Sequence, residues 1–118
     1  MSAFVKITSH HERKYREPAI TIGRISLYFN RSAQQVANMH VMKSVELFWD
    51  EDKRILMLKP SHQELDGSFV IRRPNLSTCM IGCPQAIRAL RGDAVRIHAR
   101  ARWNDEDRAF YVPGEDLK

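Results

Sequence analysis

The stretches Trp49-Asp50-Glu51-Asp52-Lys53-Arg54 and Trp103-Asn104-Asp105-Glu106-Asp107-Arg108 share one pattern about fifty residues apart. In each, a tryptophan ends an apolar run, an acidic turn follows, and an arginine begins the next apolar run. This pattern is typical of a β-hairpin, because two strand-forming runs flank a short polar turn. Its recurrence predicts an internal repeat, in which two similar units bury each other's apolar faces.

The repeat extends outward from these two hairpins. Residues 19–60 predict a strand, a short helix and a hairpin, and residues 68–113 predict the same order. Gly23 indicates a bulge or bend within the first strand. We therefore expect an α+β fold, in which two βαββ repeats pack as one pseudo-symmetric, sheet-rich domain with two short helices. Residues 1–18 are expected to form a leader. The length of 118 residues predicts a single domain.

Composition excludes several classes of protein. Apolar residues make up 43% of the chain, which argues against wholesale disorder, and no apolar run approaches the ~18 residues that a membrane span requires. Because only two cysteines occur, a reducing cytoplasm is the default compartment. The chain contains no G-x-S-x-G, H-E-x-x-H or phosphate-binding glycine loop, so we predict neither an enzyme nor a cofactor.

The net charge of +5 is unevenly distributed along the chain. Residues 72–102 contain seven arginines and one acid, whereas residues 103–118 contain five acids and two bases. Arginine outnumbers lysine by 13 to 6, and its planar guanidinium group suits phosphate and carboxylate partners. The bias is compatible with a nucleic-acid partner, and a solvated basic surface is the alternative interpretation.

The most regular alternation lies in residues 95–103. A period of two predicts a strand with one apolar face and one basic face. Side chains on the same face are roughly 7 Å apart, a spacing that allows successive phosphate contacts. The apolar face comprises Val95, Ile97, Ala99, Ala101 and Trp103, and the basic face comprises Arg96, His98, Arg100 and Arg102.

Three short motifs carry a family resemblance: Gly23-Arg24-Ile25-Ser26-Leu27, Val45-Glu46-Leu47 after a short helix, and Gly92-Asp93-Ala94-Val95-Arg96-Ile97. Together they resemble the AbrB-type swapped-hairpin module, and two copies in one chain resemble its MraZ subgroup. Residues 18–60 are also similar to small uncharacterised bacterial proteins. The resemblance implies interleaved hairpins, DNA binding, and a DNA contact by Arg24.

The leading functional prediction is a cytoplasmic DNA-binding protein, either a small transcription regulator or an antitoxin-like protein. The alternative is a protein-interaction or structural module without catalytic activity, whose basic face binds an acidic partner; a homodimer is compatible with either function. A small-ligand site between the repeats is a third hypothesis, which a deep apolar pocket would favour. The predicted nucleic-acid contacts are Arg24, Arg31, Arg96, Arg100 and Arg102.

Two residue pairs have competing chemical interpretations. Cys83 lies at a predicted helix start, a position that lowers a thiol pKa and favours a reactive or metal-binding thiolate. No second ligand pair lies near Cys79 and Cys83 in the sequence, so we predict buried, unreactive cysteines and no metal site. Trp49 and Trp103 could stack on bases, but their equivalent places at strand ends favour packing into the core.

Overall fold

The computed structural model describes residues 17–91 and 96–117. Within these ranges, two α-helices and two 3-10 turns accompany nine strands, which pair antiparallel. The helices are α1 (Arg31–Val36) and α2 (Pro84–Arg91), and the 3-10 turns span Met39–Val41 and Gly114–Leu117. The strands are β1 (Ala19–Ile22), β2 (Ser26–Phe29), β3 (Ser44–Asp50), β4 (Ile55–Ser61), β5 (Phe69–Arg72), β6 (Cys79–Gly82), β7 (Ile97–Arg100), β8 (Arg102–Asn104) and β9 (Ala109–Pro113).

The strands form one sheet in the order β7-β1-β2-β6-β5-β3-β4-β9-β8. The first and last strands of this order are separated in the chain by Ala101 alone. At this residue the chain passes from pairing with β1 to pairing with β9. The backbone N–H of Ala101 donates to the carbonyl of Pro18 at 2.9 Å, which secures the crossing point. The sheet therefore curls into a nearly closed barrel.

The two halves of the chain alternate around this barrel. Strands β2 and β6 pair on one side, β4 and β9 pair on the other, and β1–β7 and β3–β5 complete the circuit. Each half therefore supplies strands to both sides of the barrel. The core is the common interior, so neither half has a hydrophobic core of its own.

The predicted α+β fold of two βαββ repeats is wrong. Strands make up 44% of the structure and helices 21%. Residues 19–29 form a hairpin rather than one bulged strand: the Gly23 N–H donates to the Ser26 carbonyl at 2.8 Å, and Ile22 pairs with Leu27. A bulge and a tight turn both shift the apolar alternation by one residue, so the pattern alone does not separate them.

The second half also begins with a hairpin rather than with a single strand. Strands β5 and β6 are antiparallel, with Ile71 opposite Ile81, and the chain reverses between them. The Asn75 side-chain oxygen accepts bonds from the N–H groups of Ser77 and Thr78, which stabilises this turn. The Arg73 guanidinium donates to carbonyls of the preceding half and anchors the turn to it.

The short helix predicted within residues 19–60 is α1. Asn30 caps it, since its side-chain oxygen accepts the Ala33 N–H at 2.8 Å. It ends at Val36, and Asn38 adopts a left-handed conformation with φ of 51° before the 3-10 turn. In the second half, α2 begins at Pro84, next to the helix start predicted at Cys83. Almost all of the predicted leader 1–18 lies outside the described residues.

Both predicted acidic hairpins are confirmed, and their turns match closely. Arg54 and Arg108 each have φ of 53°. The Asp50 side chain accepts the N–H three residues later at 3.0 Å, and the Asn104 side chain does the same. Trp49 and Trp103 pack against the core, as predicted. None of the helices in the described ranges is long and apolar enough to cross a membrane.

The tightest backbone approach predicts a selective effect on stability. A Cβ added at Gly114 would lie 2.6 Å from the Arg54 carbonyl oxygen and 3.0 Å from the Trp49 ring. We expect Gly114→Ala to lower the free energy of unfolding by about 1–3 kcal/mol, because backbone must shift. Gly82→Ala is the control, since a Cβ there meets nothing within 4 Å, and urea denaturation measures both. Equal losses for the two variants would contradict this packing.

Candidate nucleic-acid interface

One outer surface of the barrel carries two of the predicted contacts, Arg96 and Arg100. It is formed by β7, β1, β2, β6 and β5, and we call it the basic face. One row of side chains crosses all five strands in register, because directly paired residues lie on the same side of a sheet. This row consists of Arg72, Met80, Tyr28, Thr21 and His98. Arg96 and Arg100 flank His98 along one edge.

The five strands of the basic face contain no aspartate or glutamate. Helices α1 and α2 contain none either. The described acidic residue nearest this face in sequence is Glu17, whose carboxylate lies 3.2 Å from the Arg100 guanidinium. Both side chains are largely exposed, so this ion pair contributes little to stability. The pair uses one nitrogen of Arg100 and leaves its other donors for a ligand.

The predicted alternation along residues 96–103 is observed. Ile97, Ala99 and Ala101 are at most 5% exposed, and the intervening basic side chains face outward. Val95 lies outside the described residues. The hydroxyl of Thr21 and the Nδ1 atom of His98 are 2.8 Å apart, which joins the basic edge to the neighbouring strand.

The structure brings Arg96 and Arg100 together and separates the other predicted contacts. Arg24 is exposed in the β1–β2 turn, beside the start of α2, where the Cys83 N–H donates to the Ile25 carbonyl. Arg31 begins α1 at the opposite end of β2. Arg102 follows the bend at Ala101 and pairs with β9, so it extends the outward row onto the other sheet surface.

Arg31 has basic and amide neighbours from the second hairpin. Arg31, His40, Arg73 and Asn75 line one open surface depression with Gln34. The Gln34 side chain donates to the Ser77 carbonyl at 3.1 Å, which holds the helix against this hairpin. Arg73 is already bonded to backbone carbonyls, so Arg31 is the cationic side chain available in this depression, with His40 beside it.

Sequence reasoning missed the centre of the basic face. Tyr28 and Met80 lie side by side there because β2 pairs with β6, a contact between positions 52 residues apart. Arg72 joins the same row through the pairing of β5 with β6. The odd-even pattern of each strand indicates which side chains point outward, but nothing local in the sequence indicates which strands are neighbours.

The two cysteines are buried, as predicted. Both are free and about 1% exposed. Burial raises the pKa of the Cys83 thiol to about 11, and burial also raises the pKa of Cys79 against the opposing effect of Arg73. The helix start therefore does not activate Cys83. Among the described residues, no group of three or more histidine, cysteine, aspartate or glutamate side chains is placed to hold a metal ion.

The two tryptophans are held by their own turns. The indole N–H of Trp49 donates to Glu51 at 2.6 Å, and that of Trp103 donates to Asp105 at 3.3 Å. The Trp103 ring also contacts Phe110, with ring centroids 4.8 Å apart. The bases of a nucleic acid would have to displace these contacts, which favours a structural role.

Comparison of the chain with family models, with curated proteins and with solved structures found no match.

The raised pKa of Cys83 predicts a loss of stability in alkali. The unfolded chain releases this proton near pH 9, whereas the folded protein retains it until about pH 11. Between these values the free energy of unfolding falls, by up to about 1.4 kcal/mol per pH unit for one thiol. Cys83→Ala removes this contribution, so its deficit relative to wild type should shrink between pH 9 and pH 11. Parallel pH profiles in chemical denaturation would contradict the burial effect.

Proposed function

We propose that this protein binds duplex DNA through the basic face, as a small transcription regulator or an antitoxin-like protein. The observation that carries the proposal is the charge of this surface. Arginines line both of its edges, and its strands contain no carboxylate. Phosphate contacts of this kind supply most of the non-specific affinity of DNA-binding proteins.

The dimensions of the basic face suit a duplex. Arg96 directly precedes β7 and Arg100 ends it, and Arg72 lies on β5, four inter-strand spacings away. At ~4.8 Å per spacing the two edges are about 19 Å apart along the curved sheet. The straight-line distance is shorter, and the ~12 Å width of the major groove is of the same order. The edges can therefore contact phosphates on both sides of a groove, while Tyr28 and Met80 face its floor.

The remaining predicted contacts extend this surface. Arg24 and Arg31 lie beyond the two ends of β2, and Arg102 continues the row of Arg96 and Arg100. The resemblance of the motif around Arg24 to the AbrB-type module supports the same function. We further propose a cytoplasmic location, in keeping with two free, buried thiols.

Charge reversal on the basic face tests the proposal. We expect Arg96→Glu/Arg100→Glu to weaken binding to a mixed-sequence duplex at least tenfold, because two cations are lost and two anions face the phosphates. For wild type, log affinity should fall linearly with log salt concentration, with a slope of about −3 to −5 for three to five phosphate contacts. The double variant should show a smaller slope. Fluorescence anisotropy over a salt series measures both quantities.

The matched control is Lys53→Glu/Lys59→Glu, which makes the same charge change on β4 and its turn. Its duplex affinity should stay within about twofold to threefold of wild type, apart from the long-range effect of net charge. Circular dichroism checks that both double variants fold. Equal loss in both variants, or no duplex binding by wild type at low salt, would remove the support for DNA binding.

The alternative function is interaction with protein, and a second surface favours it. Phe48, Met57, Tyr111 and Arg102 form a row in register across β3, β4, β9 and β8. Phe48 is 44% exposed. The hydrogen bond from the Tyr111 hydroxyl to Asp107 raises the pKa of Tyr111, so its ring stays neutral. We call this row the aromatic row.

The aromatic row is complementary to itself when reversed. In a two-fold dimer, Phe48 would meet the partner's Arg102, and Met57 would meet the partner's Tyr111. Each contact has favourable chemistry, since guanidinium groups bind aromatic faces and thioethers bind ring edges. A homodimer formed in this way would place two basic faces on its outside, so it is compatible with DNA binding.

Oligomeric state tests the alternative. We expect wild type to have a dimer mass by light scattering at micromolar concentration, and Phe48→Lys to be monomeric, because the ammonium group would face the partner's Arg102. Val70→Lys is the control, since Val70 is also half-exposed on a strand but lies outside the aromatic row. A monomeric wild type would contradict a dimer through this surface.

A further inference from the structure

A cavity of about 460 Å³ opens between the β3–β4 hairpin of the first half and helix α2 of the second half. Its volume lies within the range of small-molecule sites, roughly 300–1,000 Å³. Most of its lining is apolar, and two charged side chains stand at its rim. The apolar walls include Leu47, Trp49, Leu56, Ala86 and Leu90, and the charged pair is Glu51 and Arg54.

Local packing explains why this end of the barrel is open. Leu47 and Trp49 point toward the core from β3, yet both stay partly exposed, whereas Leu56 is fully buried. Helix α2 presents the small side chains of Ala86 and Ala89 to this region, which leaves space beneath the helix. Binding of an apolar ligand to such a surface is favourable, because it removes apolar area of both the protein and the ligand from water.

The Trp49 ring forms a rigid wall of the cavity. Its N–H donates to Glu51 at 2.6 Å. Gly114 approaches the ring so closely that an added Cβ would lie 3.0 Å from it. The ring is therefore fixed at both its polar and its apolar edge, so a ligand would not have to order it.

The two charged groups at the rim differ in their availability. Glu51 already accepts the Trp49 hydrogen bond. Arg54 is 61% exposed, its guanidinium carbon lies 5.6 Å from the Trp49 ring centroid, and its approach to Glu51 is a loose 3.9 Å. The rim therefore offers unused hydrogen-bond donors of Arg54 to an anionic group.

The matching arginine of the second half, Arg108, has a different ion-pair partner distance. Arg108 also lies over its tryptophan, with 5.3 Å from the guanidinium carbon to the ring centroid of Trp103. Its guanidinium group, however, donates to Asp105 at 3.1 Å. Arg108 therefore has a close ion pair, whereas Arg54 approaches Glu51 only loosely, which makes Arg108 a control position.

We propose that this cavity binds a small amphipathic carboxylic acid, with its hydrocarbon part against Leu47, Leu56 and Leu90 and its carboxylate at Arg54. A guanidinium group binds a carboxylate through two parallel hydrogen bonds, which fixes the head of the ligand at the rim. The site joins the β3–β4 hairpin to α2, so an occupant ties the two halves of the chain together. The proposal does not depend on DNA binding, because no residue of the cavity belongs to the basic face.

Isothermal titration of the full chain with octanoate, 1-octanol and octyltrimethylammonium tests the chemistry of the ligand. Octanoate should bind at least tenfold more tightly than the alcohol, and the cation should bind more weakly than either. Within the series hexanoate, heptanoate and octanoate, each added CH₂ should lower Kd by about fourfold while the cavity has room. Equal binding of octanoate and octanol would overturn the carboxylate assignment. Absence of octanoate binding by the folded protein would overturn the site.

Variants locate the site. Arg54→Gln should reduce the affinity for octanoate to that for octanol, whereas Arg108→Gln should leave it unchanged. Ala89→Phe, on an exposed helix position that lines the cavity, should abolish binding of both ligands by filling the space. Thermal unfolding without ligand checks that each variant folds. Octanoate should raise the Tm of wild type and Arg108→Gln most, that of Arg54→Gln less, and that of Ala89→Phe not at all. Equal losses in the two arginine variants would overturn the assignment.

Discussion

Closure of the sheet at Ala101 is the constraint on which the rest of the structure depends. The segment 97–104 pairs with β1 before this residue and with β9 after it, so one stretch of chain joins both ends of the strand order. Ile97, Ala99 and Ala101 are buried, and the small side chains of the two alanines let this segment bend over the core while its basic side chains stay in water. An antiparallel sheet that closes leaves little exposed edge, which protects it from pairing with other chains. The basic face, the aromatic row and the ligand cavity are all defined by this closure.

The sequence predicted the local elements better than their arrangement. The hairpins around Trp49 and Trp103, the start of α2 at Pro84 and the alternation along 96–103 follow from turn chemistry and period, which are local properties. The predicted α+β fold class is wrong in part because Gly23 does not form a bulge. Its N–H closes a tight turn on Ser26, which divides the predicted first strand into two paired strands. Strand neighbours such as β2 and β6 are set by tertiary packing, and no single-strand pattern contains that information. For the candidate site, the arginines were predictable from charge, but Tyr28 and Met80 beside them were not.

Most of the positive and negative charges of this barrel lie on different parts of its surface. The strands of the basic face contain no carboxylates, and the acidic residues occupy β3, the hairpin turns, the loop before β5 and the 3-10 turn after β9. This separation concentrates positive charge on the proposed DNA surface, where Glu17 beside Arg100 is an exception. The cavity beside Trp49 lies in the acidic region, where Arg54 is the available cation. A polyanion and a small carboxylate would therefore approach different parts of the molecule.

The interleaving of the two halves has a consequence for how the chain reaches its native state. Ile20 pairs with Ala99, and Thr21 pairs with His98, across nearly eighty intervening residues. Such distant pairings must wait until the later strands have left the ribosome, and folds dominated by them mature slowly. A β1–β2 hairpin without β6 and β7 beside it has two open edges and an unshielded apolar side. Such surfaces are what make incompletely folded chains prone to aggregation.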